Sequence, residues 1–412
     1  MYLTYGSISS ILFSIALSQF LLGAALLATF ASGITRRFPP IKLPLALLFG
    51  WTLLSALHSG YFWQGFPQIR KFFVFATALI VASCLSRTKD VGVLVWIWGS
   101  ISFASSLAAF IQLWQRYRQA RAERASYYEY FLDARLHGFA GHWMTFGGEL
   151  MIVSVLLLAV VLFSGNRTHT IFASMCLPIL CATLVLGLTR GVFLIGLPTG
   201  AAYLFFTWKP WSVLAIPAAF LAAAFTMPFQ VRERIISVIR PHGNDDSNLR
   251  RMILTRSGLR MISSHPIVGL GPERVGRDFM AYVPEDIPRP LPKGWYGHLH
   301  NIYLQYAAER GIPALVFVLW IIAKPLYDFH RKVRTKPGAP DAWVLRGAVA
   351  VILAIMAEGL FEHNLGDSEV LTMFLTVVSC GYVVAWSGTD QHESSQGTTT
   401  SREPMSLAQA SC

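Results

Sequence analysis

Long apolar stretches follow one another along the chain, and most are separated only by short polar breaks. A helix needs about 20 apolar residues to cross a bilayer core of roughly 30 Å, and most of the stretches approach or exceed that length. They are apolar on all sides, whereas the strands of a membrane β-barrel alternate between apolar and polar positions, so helices are predicted. The pattern therefore predicts an all-α, polytopic membrane bundle of about eleven spans, with a range of ten to twelve. The stretches are 7–31, 41–58, 66–86, 91–114, 142–165, 170–189, 191–207, 211–229, 303–323, 342–361 and 367–387.

Composition agrees with a membrane protein, because 54% of the 412 residues are hydrophobic and only 14% are charged. The first apolar stretch has neither a basic start nor a small-residue cleavage pattern, which predicts a retained helix rather than a signal peptide. The five cysteines include no CxxC pair, so neither a disulfide framework nor a zinc site is predicted. The net charge of +12 is spread over the loops between the stretches, which favours membrane topology and lipid contact over nucleic-acid binding.

Basic residues concentrate in short loops, and loops of this kind stay in the cytoplasm. Neighbouring basic loops are separated by two predicted spans, which is the alternation that one consistent topology requires. The opposite face then carries the loop 115–141, the turn 188–191, the long segment 230–302 and the turn 361–367, and we expect this face to lie outside the cytoplasm. The basic loops are 35–42, 86–90, 165–169, 207–210 and 330–336.

The same pattern divides the chain into four parts. Residues 1–229 are predicted to form about eight spans, residues 230–302 an outer loop that contains a helix, and residues 303–387 about three more spans. Residues 388–412 are rich in Ser, Thr and Gln, which predicts a disordered cytoplasmic tail.

A surface helix is predicted inside the long outer segment. Ser247 is a good N-cap, and the helical pattern that follows ends before His265. Arg256 and Arg260 lie four residues apart on one stripe, where contact with lipid head groups is an alternative to a role in a site. The predicted apolar stripe consists of Leu249, Met252, Ile253, Leu259 and Ile262.

Several polar side chains stand where the ninth apolar stretch begins. Its purely apolar part is only about 18 Å long, so the span has to extend back to about residue 303. That extension places Gln305, Glu309 and Arg310 at membrane depth and His300 near the outer surface. Glu309 is thus a candidate for a substrate pocket, with a structural ion pair to Arg310 as the alternative.

Arg190 stands at a tight turn between two apolar stretches, at the same predicted level as His300. Guanidinium groups bind phosphate through paired hydrogen bonds and stabilise charge on a departing diphosphate. A neutral histidine beside them can take a proton from an attacking hydroxyl. The alternatives are an interfacial anchor for Arg190 and a surface hydrogen-bonding residue for His300.

Three further residues are weaker candidates for substrate binding. His298 duplicates the chemistry of His300, and His142 lies on another outer loop where an acceptor or sugar pocket would need polar groups. A structural histidine is the alternative for His142, and for Asn301 we favour a helix N-cap. The chain has no DxD or HExxH pattern, so neither a metal nor another cofactor is predicted.

Three stretches of the chain form a recognisable series: LTRGVF at 188–193, the arginine-led stretch 249–275 with its His-Pro and glycine turn, and HNIYLQYAAERGIPA at 300–314. Together they resemble the O-antigen ligase and O-antigen polymerase family of bacterial membrane glycosyltransferases. The third stretch is similar to the family signature of His-Asn, nine residues and Gly. GLFEHNLGDSEV at 359–370 resembles the final outer turn of that family.

The resemblance implies a metal-independent enzyme whose donor is an undecaprenyl-diphosphate-linked glycan. Mapped by motif position, the essential groups fall on Arg190, Arg251 and His300, and the spacing to the His-Pro pair favours Arg251 over Arg250. Arg250 then becomes a substrate-binding candidate, and the list of such candidates is completed by Arg274 and His363.

The predicted reaction moves the glycan to a hydroxyl of lipid A-core at the periplasmic face of the inner membrane. Alternatives within the family are a polymerase, whose acceptor is a second lipid-linked glycan, and an enzyme that glycosylates a protein hydroxyl. A transporter of anionic lipid would also contain an arginine-lined cavity, but it predicts inverted pairs of broken helices, and we find one broken span. The predicted partners are the lipid-linked donor, the acceptor and membrane lipids.

Overall fold

The computed structural model describes residues 1–124, 135–226, 247–292, 294–339 and 341–397. Every regular element in these ranges is helical, as the apolar pattern predicts. Asp245 and Asp246, two adjacent carboxylates directly before the predicted surface helix, lie outside the described residues. The helices are α1 (Tyr2–Ser10), α2 (Ile15–Ala31), α3 (Lys42–His58), α4 (Phe62–Cys84), α5 (Thr88–Ala122), α6 (Trp143–Phe163), α7 (Arg167–Leu186), α8 (Val192–Trp208), α9 (Ala215–Thr226), α10 (Ser247–Ser264), α11 (Val275–Tyr282), α12 (Ile302–Thr335), α13 (Ala342–Glu358) and α14 (Ser368–Gly397).

Six of the described helices are long and apolar enough to cross a membrane, namely α4, α5, α6, α7, α12 and the Ser368–Ser387 part of α14. Shorter apolar helices accompany them, including α2, α3 and α8. The chain is a multi-pass helical membrane protein, which confirms the predicted fold class. The number of described helices that are long enough to cross a membrane is smaller than the number of predicted spans, because several apolar stretches are interrupted or end early.

Helix ends differ from the predicted stretches in three places. The stretch 7–31 is not one span but two helices, because Ser14 caps the start of α2 by accepting a hydrogen bond from the Leu17 amide at 3.3 Å. Helix α5 continues to Ala122, into the predicted loop 115–141. Helix α14 continues to Gly397, into the segment predicted to be disordered.

The centre of the bundle is α13, which packs against α6, α8, α12 and α14 and is buried over most of its length. Gly196 and Gly200 lie one turn apart on α8 and let its backbone approach the neighbours closely. A Cβ at Gly200 would lie 2.9 Å from Val155 of α6 and 3.1 Å from the carbonyl oxygen of Ala350 of α13. Small residues four apart are a usual way for membrane helices to pack without a hydrophobic driving force.

Helix α10 has the predicted bounds, but it buries a different face. Ile253, Leu254 and Met261 are fully buried in a small core with α11, whereas Leu249, Met252 and Leu259 are more than a third exposed. Gly258 lies against Leu299, where a Cβ would be only 2.8 Å away. The predicted apolar stripe was therefore wrong, because the buried face of α10 is displaced from it by about one residue. The displacement arises because Leu299 packs against the side of the helix that carries Gly258.

The His-Pro and glycine turn of the arginine-led stretch is followed by the short helix α11. Arg256 pairs with Asp286 just beyond it through two hydrogen bonds of 2.7 and 2.9 Å, and these bonds lower the pKa of the Asp286 carboxyl. Arg260 donates to the carbonyl oxygen of Val283 at 3.4 Å. Both arginines thus have partners within the protein, at positions where the sequence analysis considered lipid head groups.

Helix α12 contains a non-helical residue, Gly311, with φ +79° and ψ 171°. The break lets the turn after α10 bind along α12, where Leu270 donates to the carbonyl of Ala308 at 2.9 Å and Ile312 donates to that of Pro266 at 2.8 Å. Only glycine adopts this backbone conformation readily. The turn and the helix are thereby joined at the level of the predicted polar residues.

Replacing Gly311 by alanine is expected to destabilise the protein by at least about 3 kcal/mol, because a Cβ would overlap the carbonyl oxygen of Ile267 and the backbone would be strained. The measurement is the thermal unfolding temperature and the folded yield in detergent. Gly23→Ala is the matched control, since nothing lies within 4 Å of a Cβ at this position of α2. Equal stability of the two variants would contradict the expected strain.

Candidate active site

One pocket lies at the end of the bundle where α10 and α11 pack, which we call the site end. It combines side chains from the starts of α6, α8 and α10 with the segment before α12 and the turn after α13. Its lining contains four arginines, one histidine and two carboxylates. The lining residues are Arg135, Trp143, Met144, Thr189, Arg190, Gly191, Arg250, Arg251, His300, Glu358, Phe361 and Glu362.

Arg190 reaches the pocket from the tight turn between α7 and α8. Leu188 adopts a left-handed conformation with φ +55°, which ends α7 abruptly, and α8 begins directly afterwards with a π-helical turn. Gly191 packs against Glu358 and Phe361, where a larger residue would reduce the space of the pocket. Arg190 is only 7% exposed and therefore has its guanidinium inside the protein rather than at a lipid interface.

The first turn of α10 supplies Arg250 and Arg251, and both line the pocket. The guanidinium of Arg251 lies 5.4 Å from the ring centre of Phe361. The guanidinium of Arg135, another lining residue, stacks on Trp143 at 3.9 Å. Aromatic faces hold guanidinium groups in place through cation–π contacts.

His300 forms a hydrogen-bonded pair with Glu362, a residue of the turn between α13 and α14. Its Nδ1 lies 3.0 Å from one carboxylate oxygen of Glu362 and 3.2 Å from the other. An ionised carboxylate only accepts hydrogen bonds, so the proton of the neutral imidazole is on Nδ1 and its Nε2 is an acceptor. Burial raises the pKa of Glu362, but the hydrogen bond and charge of His300, with smaller contributions from His298 and the His363 amide, bring it below its usual value.

The backbone fixes the distance between these two residues. His300 itself has a left-handed conformation with φ +48°, which turns its side chain towards Glu362. The next two residues bind the turn after α13, because the Asn301 amide group donates to the carbonyl of Leu360 at 3.0 Å and Ile302 donates to that of Gly359 at 2.8 Å. Asn301 also caps α12 by accepting hydrogen bonds from two backbone amides, in agreement with the N-cap interpretation.

His298 lies directly beside His300, with ring centres 4.1 Å apart. Its Nδ1 accepts the amide N–H of His300 at 3.1 Å, and its Nε2 lies 3.7 Å from Glu362. Burial lowers the pKa of His298 to about 4, helped by His300 and opposed by Glu362, so the ring is neutral near pH 7. His298 is therefore part of the same cluster, although it does not line the pocket itself.

Arg274 and Glu309, both predicted to bind substrate, are not brought to this pocket. Arg274 is held by Asp278 through two hydrogen bonds of 2.8 and 2.7 Å and stacks on Tyr61 at 3.8 Å. Glu309 accepts the Glu273 amide at 3.0 Å and lies 3.4 Å from Arg310, so the ion-pair alternative describes it. These two residues connect the turn after α10 to the bundle.

His142 and His363 lie next to the pocket but do not line it. His142 caps α6 by accepting the Met144 amide at 3.2 Å, and burial lowers its pKa. His363 follows Glu362, and its ring lies 5.8 Å from that of His298. Burial lowers the pKa of His363 well below its ordinary value, which keeps this ring neutral behind the cluster.

The sequence analysis did not identify three charged residues of the pocket, Arg135, Glu358 and Glu362. Glu358 hydrogen-bonds Asn364 and is 2% exposed, and Glu362 is 9% exposed. A signal was present, because two carboxylates four residues apart at the end of an apolar stretch are costly near a membrane and therefore tend to be functional. The stretch 359–370, which resembles the final outer turn of the family, contains Glu362, but the sequence analysis named only His363 from it as a candidate.

Residues 152–319 match the family model described as O-antigen ligase. This match supports a relationship with the O-antigen ligase and polymerase family. No curated protein matches the chain. The matched region contains four of the pocket residues, Arg190, Arg250, Arg251 and His300. It ends before the two pocket carboxylates, Glu358 and Glu362. Members of this family are membrane glycosyltransferase-like enzymes, and the second half of the pocket comes from the part of the chain beyond the match.

Proposed function

We propose that the protein transfers a glycan from undecaprenyl diphosphate to a hydroxyl of lipid A-core at the periplasmic face of the inner membrane. The observation that supports this proposal most directly is the shared pocket, which Arg190, the α10 arginines and His300 line together. A base for a hydroxyl and cations for a departing diphosphate are the two groups that this reaction requires. Both are provided by residues far apart in the chain.

The orientation in the membrane follows from charge. The predicted cytoplasmic loops are those after α2, α4, α6, α8 and α12, and the alternation of the helices puts them at the end of the bundle opposite the site end. Ser387, near the exit of α14 from the bundle, donates to the carbonyl of Ser86 in one of these loops at 3.1 Å. Because short basic loops remain in the cytoplasm, the site end faces the periplasm in our proposal.

The arginines would bind the diphosphate of the donor. Arg135, Arg190, Arg250 and Arg251 line the pocket, against the carboxylates of Glu358 and Glu362. Paired guanidinium hydrogen bonds hold phosphate oxygens at fixed positions and stabilise the negative charge that grows when the glycosidic bond breaks. No metal ion is needed in this mechanism, because the arginines supply the positive charge.

His300 would act as the general base. Its Nε2 accepts the proton of the acceptor hydroxyl while that oxygen forms a bond to the anomeric carbon. The bond from the anomeric carbon to the diphosphate oxygen breaks, and its electron pair leaves with undecaprenyl diphosphate. Glu362 holds the proton on Nδ1 and compensates the charge of the imidazolium that forms.

Replacing Glu362 by glutamine is expected to slow transfer by roughly 10-fold to 100-fold, less than loss of the base itself, because the imidazolium loses its counter-charge.

The same substitution is expected to change how the stability of the fold depends on pH. The pKa of Glu362 is lowered from 4.5, so its charge stabilises the fold at neutral pH, and this contribution is lost as the pH falls through the lowered pKa. Thermal unfolding of wild type and variant should thus differ at pH 7 and converge in acid. A stability difference that is independent of pH would contradict an ionised Glu362.

The acceptor is tested with purified protein and a lipid-diphosphate-linked glycan as donor. Lipid A-core, a second donor lipid and a serine-containing protein are offered separately, and the products are identified by mass. We expect glycosylated lipid A-core. A lengthened lipid-linked glycan would show a polymerase, a glycosylated protein would show a protein-modifying enzyme, and transport of donor across a vesicle membrane without any covalent product would overturn the enzyme proposal.

A further inference from the structure

The cluster beside the pocket contains three groups of the kinds that bind transition metals. Among the residues that the structure describes, His298, His300 and Glu362 each offer one donor atom, and these atoms lie within 4.8 Å of one another. The side chains are only 21%, 12% and 11% exposed, so they are partly shielded from water but still reachable. Two imidazoles and one carboxylate are a frequent ligand set for Zn²⁺.

The distances fit a small tetrahedral ion. Bonds of about 2.0–2.1 Å place neighbouring ligand atoms of a tetrahedral zinc site about 3.3 Å apart. The Oε1 atom of Glu362 lies 3.2 Å from Nδ1 of His300 and 3.7 Å from Nε2 of His298, so the two distances to this one oxygen bracket that value. The fourth ligand would be water.

We infer that this cluster binds Zn²⁺ or a similar divalent transition-metal ion, and that the bound ion inhibits the enzyme. The inference goes beyond the proposed function, because the metal has no part in the transfer reaction. Its effect follows from the place where the ion binds on the imidazole of His300.

A metal at Nδ1 of His300 takes the position of the proton that Glu362 now accepts. In a neutral imidazole that binds metal through one nitrogen, the proton is on the other nitrogen. The Nε2 atom of His300 would then be a donor and would no longer accept the proton of an attacking hydroxyl. Zn²⁺ thus inactivates the base by moving its proton and without occupying the arginine side of the pocket.

Binding also requires a change at His298. Its Nδ1 accepts the amide N–H of His300, so the proton of its neutral ring is on Nε2, which faces Glu362. Coordination through Nε2 moves this proton to Nδ1 and breaks that one hydrogen bond. The ring centre of His363 lies 5.8 Å from that of His298, and its buried Nδ1 has no hydrogen-bond partner among the described residues, so this atom can accept a hydrogen bond from a rotated His298 ring.

The test uses the full-length protein in detergent, freed of metal with a chelator. Zn²⁺ alone is titrated by calorimetry, and Co²⁺ is added as a probe whose visible absorption reports a tetrahedral site. We expect one ion per chain, with binding weakened about 100-fold or more in His298→Ala and in Glu362→Gln. His330→Ala is the matched control, because His330 is an exposed histidine at the opposite end of α12 and should bind Zn²⁺ like wild type.

Glycan transfer is then measured with and without Zn²⁺. We expect inhibition that a chelator reverses, at the concentration at which calorimetry shows binding. Absence of stoichiometric binding, or binding that His298→Ala leaves unchanged, overturns the inference. If the active enzyme binds Zn²⁺ without being inhibited, the inference of inhibition is wrong. If the protein binds Zn²⁺ but never transfers glycan, the metal site is supported and the proposed function is not. Size-exclusion profiles of the variants establish that a loss of binding is not a loss of fold.

Discussion

Replacing His300 by alanine is expected to lower the rate of glycan transfer by about 10²-fold to 10⁴-fold, the usual contribution of a general base. The hydrogen bond from Nδ1 to Glu362 and the acceptor nitrogen Nε2 are lost together. The effect should fall on the catalytic rate more than on the affinity for donor, because the arginine side of the pocket is untouched. The measurement is single-turnover transfer by purified variant and wild type at saturating donor.

His330→Ala is the control for this variant, since His330 lies on the part of α12 remote from the pocket. It should transfer at the wild-type rate. The left-handed backbone of His300 is easier for Asn than for Ala, so His300→Asn provides a second inactive variant with less strain. If either His300 variant is folded and transfers glycan at the wild-type rate, His300 is not the base.

Replacing Arg190 by alanine is expected to reduce transfer by about 10²-fold to 10³-fold, as for loss of one group that stabilises charge in a transition state. Arg190 is buried at the wall of the pocket, beside Gly191, where a diphosphate would contact its guanidinium. Arg190→Lys keeps the charge but not the paired hydrogen bonds, and should recover only part of the loss. The rates are compared with the affinity of each variant for undecaprenyl diphosphate.

Arg277→Ala controls for the removal of an arginine at the same end of the molecule. Arg277 is an exposed residue of α11 and does not line the pocket, so its loss should change neither rate nor affinity. Equal transfer rates of Arg190→Ala and Arg277→Ala would show that Arg190 does not contribute to catalysis. A loss of activity in Arg190→Ala that is matched by a loss of folded protein would point to a structural role instead.

Much of the architecture could be predicted from periodicity, because apolar runs of membrane length have few alternative structures. The bounds of α10, the buried polarity at the start of α12 and the common pocket of Arg190 and His300 follow from local sequence and depth. The buried face of α10 did not follow, because Gly258 and Leu299 meet only in the folded protein. Helix patterns indicate that a face is buried, but the partner decides which residues form it.

The charged partners in the pocket were harder to predict. Glu362 is recognised as part of the site only because the fold brings it within hydrogen-bonding distance of His300, which lies 62 positions earlier in the chain. In the same way, Arg274 looked like a ligand in the sequence, but Asp278 one turn later in α11 holds its guanidinium. A residue type and a motif predict a capability, and contacts with distant or neighbouring side chains decide whether it is used.

The hydrogen bonds from Asn301 and Ile302 to the turn after α13 have a consequence for biogenesis. The imidazole and its carboxylate come from opposite sides of a helical hairpin, so neither is in place until both helices of that hairpin have entered the bilayer and associated. A polypeptide that stops before residue 359 would contain the histidine and every arginine of the pocket but would have no carboxylate partner for His300. During synthesis the histidine and its carboxylate therefore come together only after almost all of the membrane helices have been inserted.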